Sequence, residues 1–222
     1  AASAIPQAPQ LYRFERLPKP KGKAFAEPLL DFPRGALVHF AVTNRTVMMT
    51  TKLQGPATYF LPFNMGDHGA AGNPPNGKGH RTSYLWEQVW QRDSWLEILA
   101  RYLVTKKDDK KRITGVLFPR YHQWDAVTRL VEAARSEGPG HKYLVQHSAG
   151  SGKTNSISWL AQRLSSLYDD EDEKAFSSVI VVTDIDAELA EKLADELADL
   201  CWSLRDDFQI REAVPVDEAV RL

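Results

Sequence analysis

The ten residues from His147 to Ser156 read HSAGSGKTNS, and they constrain the fold more than any other stretch of the chain. Two glycines followed at once by Lys153-Thr154 make a turn whose backbone N–H groups can converge on an anion. Such a turn works only where a strand delivers the chain and a helix N-terminus receives it, because the helix adds N–H donors and a partial positive charge. Both flanks carry the required pattern. KYLVQ before the loop reads as a short buried strand. TNSISWLAQRLSSLY after it reads as a helix with Ile157, Leu160, Ala161, Leu164 and Leu167 on one face. On this reading Ser148, Ala149, Gly150, Ser151, Gly152 and Lys153 wrap phosphates, Lys153 reaches the β- and γ-phosphates, and Thr154 ligates a nucleotide-borne Mg²⁺. His147 stands where the general pattern has its first glycine, and it either touches a phosphate or fills space behind the loop.

The loop sits in a longer α/β pattern. VLFPRYHQWDAVTRLVEAARSEG precedes it as an aromatic-rich entry and a helix ending near Gly138. DDEDEK follows it as an acidic turn, and SSVIVVTD reads as a second strand, apolar throughout as central parallel strands are. Leu189, Leu193, Leu197, Leu200 and Leu204 then space out a further helix. Strand, loop, helix, strand, helix is the start of a doubly wound domain. Gln123, about 30 residues before Lys153, is placed to read an adenine edge, and Phe118 or Tyr121 to pack on the ring face.

The N-terminal half has another texture. Residues 1–33 form a Pro/Lys-rich arm, and ALVHFAVT, VMMTTKL and TYFLPF read as an antiparallel meander. NMGDHGAAGNPPNGKGH is a surface loop, because its glycines, prolines and asparagines suit neither helix nor central strand. From Ser83 to Leu103 a helix is expected, with Leu85, Val89, Leu96, Leu99 and Leu103 as its apolar stripe and Trp86, Trp90 and Trp95 as packing residues. KKDDKKR at 106–112 is a charged break, taken as the boundary between units 34–112 and 113–222.

Charge divides the chain in the same place. Residues 1–112 carry 17 Lys and Arg against 9 Asp and Glu, a net of +8, whereas the remainder carries 11 against 20, a net of −9. A basic half beside an acidic half suggests units with different partners; for the first, the positive charge suits nucleic acid or is simply a solvated surface. No run approaches the roughly 18 apolar residues of a membrane span. A single cysteine, Cys201, excludes an intrachain disulfide, and the N-terminus has no secretory pattern, so a cytoplasmic setting is expected.

RGALVHFAV, FLPFN, AGNPPN, TSYLWEQVWQRDSWLEILARYL, FPRYHQWDAV and QHSAGSGKTNSISWLA, in that order, resemble the R (restriction, or motor) subunit of type I restriction enzymes. The likeness runs from about Arg34 to Asp184, and the loop itself resembles that of superfamily-2 helicase-type ATPases, in which an upstream glutamine reads adenine. The resemblance implies the tail of a restriction-nuclease-like domain over 34–112, then the incomplete beginning of a first RecA-like P-loop lobe over 113–222. It implies ATP and Mg²⁺ as cofactors, ATP-driven translocation of duplex DNA, cleavage of unmodified DNA, and modification (methyltransferase) and specificity subunits as partners.

Departures from the family pattern limit what this chain is expected to do. The nuclease carboxylates and Glu-x-Lys strand of the family are replaced by the Pro/Lys arm. Asp172-Glu-Lys174 and the Asp108-Asp109 pair read as solvated charge, and Asp217-Glu218 only imitates the letters of a water-activating box. Acidic IDAELAEKLADEL stands where arginines facing DNA are usual. The expectation is nucleotide binding without nuclease activity or appreciable turnover in isolation. The alternative is a non-enzymatic remnant or adaptor docking on restriction-modification subunits.

Overall fold

The computed structural model describes residues 27–169 and 171–182. The expected helix over 187–204, Cys201, Asp217-Glu218 and most of the Pro/Lys arm lie outside them. The described chain is mixed α/β, with small antiparallel sheets and few helices, and it divides into two compact units, 1–122 and 123–222. Among the described residues no helix is long and apolar enough to cross a membrane.

In the first unit the expected meander is present. Strands β1 (His39–Val42), β2 (Val47–Thr50) and β3 (Leu61–Pro62) pair antiparallel in sequence order, with Phe40 opposite Met49 and Met49 opposite Leu61. Asn64 and Asn73 tie the following loop to the sheet. Asn64 Oδ1 accepts the Val47 N–H at 2.8 Å, and Asn73 accepts the Met65 N–H at 2.8 Å while donating to the Arg45 carbonyl at 2.9 Å. The polar loop is therefore ordered by side-chain amides that do the work of a missing ladder.

The expected helix over 83–103 is broken. Leu85–Val89 form one π-helical turn, Gln91 is extended, and helix α1 (Arg92–Arg101) starts afresh. The reason lies in the faces. Val89 and Ile98 are both buried, yet at about 100° per residue a continuous helix would set them on opposite sides. The interruption turns α1 so that Ile98 and Tyr102 face inward, and Leu96 of the expected stripe is left 51% exposed. Trp90 packs edge-on against Phe40 and Trp95 tilts over Phe118, as packing residues should. Trp86, partly exposed, meets His80 edge-on.

The charged run at 106–112 lies within a hairpin. Strands β4 (Val104–Lys107) and β5 (Ile113–Leu117) pair antiparallel, and the run forms their connecting turn. Asp108 builds it. Its carboxylate accepts the Lys110 and Arg112 N–H groups at 3.0 and 2.8 Å and the Arg112 guanidinium at 2.8 Å. The guanidinium bond, then the backbone bonds, hold the Asp108 carboxyl below its usual range. A local turn forms there because one side chain satisfies three donors.

In the second unit, helix α2 (Tyr121–Glu137) continues from the first and ends as expected, with Gly138 at φ 75° donating its N–H to the Ala134 carbonyl. Its buried positions in this unit, Trp124, Val127, Val131 and Ala134, recur at three- and four-residue steps. Helix α3 (Lys153–Ser165) follows the glycine loop and buries Ser158, Trp159, Ala161 and Gln162, so Ala161 of the expected stripe is in the core, as is Leu167 beyond the helix, while Ile157 is exposed. Ile157 and Leu160 border an apolar cavity of about 160 Å³ with Ala126, Val127, Leu130 and Val145.

Neither of the two expected strands of this unit is present among the described residues. Over 141–148 and 177–182 the backbone has no ladder partner among the described residues, and Leu144 is 93% exposed. An apolar run becomes a central strand only when a neighbouring strand takes up its N–H and C=O groups. The acidic turn at 169–174 is present, closed by the Asp169 carboxylate, which accepts the Glu171 and Glu173 N–H groups at 3.0 and 2.9 Å.

Candidate functional site

Gly150 and Gly152 turn the loop into the N-terminus of α3, although no strand among the described residues leads into it. Ser151 N–H donates to the Ser148 carbonyl at 3.3 Å, closing a turn in which Gly150 takes φ 70°. Gly152 follows at φ 80° and is the N-cap residue of α3. Both angles lie in the left-handed region, where any residue with a Cβ is strained. Ser151 between them is buried, while Ser148, Ala149, Gly150 and Lys153 are exposed. The loop therefore delivers an exposed rim of backbone directly to a helix N-terminus, which favours anions.

Lys153 lies across this rim. Its ammonium donates to the Ser148 carbonyl at 2.9 Å, spanning the loop from its end to its beginning. A lysine so placed keeps further N–H donors for a second acceptor above the rim. Thr154 occupies the first turn of α3, half-buried, with its carbonyl accepting the Ser158 hydroxyl at 3.0 Å. A threonine hydroxyl is a hard oxygen donor of the kind Mg²⁺ accepts beside phosphate oxygens and water, so the residue fits the expected ion. Among the described residues no group of three or more His, Cys, Asp or Glu side chains could hold a metal by itself.

The remaining expected residues are placed otherwise. His147 is half-buried and lines the apolar cavity, whose lining Lys153 shares. Phe118 and Tyr121 belong to the first unit, and each is only 3% exposed. Phe118 packs against Phe40 and Phe63, and Tyr121 meets Phe63 and Tyr84 edge-on while its hydroxyl bonds the Gln88 side chain at 3.3 Å. Rings this deep offer no face to a base, and their role here is the aromatic core. Tyr84 anchors that core by donating its hydroxyl to the Phe63 carbonyl, and burial pushes its pKa upward.

Gln123 is brought to the loop, but in a different sense from the one expected. Its side-chain nitrogen donates to the Gly152 carbonyl at 2.9 Å and to the Ser151 carbonyl at 3.3 Å. The carboxamide thus holds the loop backbone. Sequence reasoning found the residue through its spacing from Lys153, yet spacing carries no information about which edge the amide turns to the loop.

No family model, curated protein or solved structure matches the chain.

Proposed function

We propose that the chain is part of a type I restriction motor subunit and binds ATP-Mg²⁺ through residues 148–154. The observation that carries this reading is the pair of left-handed glycines set against the N-terminus of α3, with the Lys153 ammonium laid across the turn. That arrangement suits a polyphosphate on two counts: an exposed backbone rim at a helix N-terminus, and a lysine ammonium beside it. Bound Mg²⁺ would neutralise phosphate charge, with Thr154 as its protein ligand. The order of sequence blocks resembling the restriction motor subunit supports ATP as the nucleotide and duplex DNA as the polymer acted on. The RecA-like character of the second unit is part of the same proposal.

Titration of the whole chain with fluorescent ATP and Mg²⁺, beside Lys153→Ala, tests it. Saturable binding lost by at least tenfold in the variant is expected, since a charge-assisted hydrogen bond contributes about 1.5–3 kcal/mol. Binding without steady-state hydrolysis is the companion expectation, because turnover needs a positioned water and charge clamps as well as a cradle. A folded chain that binds no nucleotide overturns the reading and promotes the docking remnant. The exposed apolar side chains of Leu144 and Ile180 favour that second reading.

A further inference from the structure

The two hydrogen bonds of Gln123 bear on which part of a nucleotide the site can recognise. The side chain is buried, 3% exposed, and its Nε2 faces two loop carbonyls at 2.9 and 3.3 Å. Both amide protons are committed there. Turning the amide over would set its oxygen against two carbonyl oxygens, so the loop itself dictates the orientation. A carboxamide reads adenine by a paired pattern, donating to N7 and accepting from the N6 amine. With both N–H groups on the loop, Gln123 has no donor left for N7.

The contact is also built into the glycine beside it. A Cβ at Gly152 would fall 2.6 Å from Gln123 Nε2, and φ 80° would strain any side chain there. Glycine is thus needed twice at this position, once for backbone conformation and once for the closeness of the amide.

We infer that Gln123 is a positioning residue for the phosphate loop, a brace that fixes the Ser151 and Gly152 carbonyls so that the N–H groups on the same peptides point outward. Through this residue the site recognises a triphosphate and not a base. The inference rests on the reading of residues 148–154 as a phosphate loop.

The experiment compares Mg²⁺ complexes of ATP, GTP and inorganic tripolyphosphate, measured by displacement of a fluorescent nucleotide from the full chain. Wild type is set beside Gln123→Ala and Gln123→Met, the second keeping the volume without the donors. Loss of the brace weakens all three ligands by a similar factor, about tenfold for two hydrogen bonds. A loss confined to ATP overturns the inference in favour of adenine reading, and no loss with any ligand overturns it outright. A thermal-unfolding cycle of Gly152→Ala, Gln123→Ala and the double variant reads the contact without ligand. Coupling is expected, with Gly152→Ala less damaging once Gln123 is shortened, and strict additivity overturns the brace. Should wild type bind none of the three ligands, the phosphate-loop reading fails, while this cycle still decides the brace.

Discussion

At the scale of single residues, backbone conformation and burial separate positions that look alike in sequence. Gly150 and Gly152 both adopt left-handed angles, but only Gly152 has a neighbour where its Cβ would go. Gly150→Ala should therefore cost the strain alone, about 1–2 kcal/mol, and leave the turn intact. Gly152→Ala should cost more, and urea denaturation of the two variants ranks them. His39 provides a pH test. Buried on β1, it is held by desolvation below the ordinary imidazole value of 6.5. As pH falls below 6.5 the unfolded chain takes up the proton first, so stability present in full above that pH is progressively lost. Denaturation midpoints collected between pH 8 and pH 5 should fall on the acid side for wild type and change less in His39→Gln.

At the scale of elements, the test is which face each helix buries. Ile98 is fully buried on α1 while Leu96, two residues earlier, is half-exposed. Ile98→Ala should cost about 2–5 kcal/mol, and Leu96→Ala should stay within about 0.5 kcal/mol. The reverse ranking would restore the continuous helix that the leucine spacing implied. On α3, Trp159 is fully buried, and Trp159→Ala should cost about 3–5 kcal/mol. The spacing of leucines identified both helices correctly as helices. It placed Leu85, Val89, Ala161 and Leu167 in the core correctly but not Leu96 or Ile157, because an apolar residue is compatible with a core, a surface or the border of a cavity. KYLVQ and VIVV show the complementary failure. Their composition states a preference for strand, but a strand is a relation between two segments, and no partner is supplied among the described residues.

At the scale of the molecule, charge is distributed unevenly and the hairpin concentrates it. Lys106, Lys107, Lys110 and Lys111 are exposed around a tip whose Asp108 is already occupied by Arg112. A lysine-rich tip suits the phosphates of duplex DNA, the polymer proposed above. Lys110→Ala with Lys111→Ala should then weaken duplex binding about tenfold at low salt and reduce its log–log salt slope by about 2. Fluorescence anisotropy at several salt concentrations checks both. An unchanged slope would make the tip solvated charge.

The sequence by itself determined the local geometry whose causes are local. Gly150 and Gly152 set the loop, Gly138 ended α2, the short β-rich runs ALVHFAVT, VMMTTKL and TYFLPF made the meander, and Asp169 closed the acidic turn. In each case neighbouring atoms decide the outcome. Only the tertiary structure decided the break at Gln91, the hairpin made from a charged run, the burial of Phe118 and Tyr121 in an aromatic core, and the direction of the Gln123 amide. Those depend on which groups from distant parts of the chain compete for the same buried volume and the same hydrogen-bond acceptors, and spacing along one chain does not encode that competition.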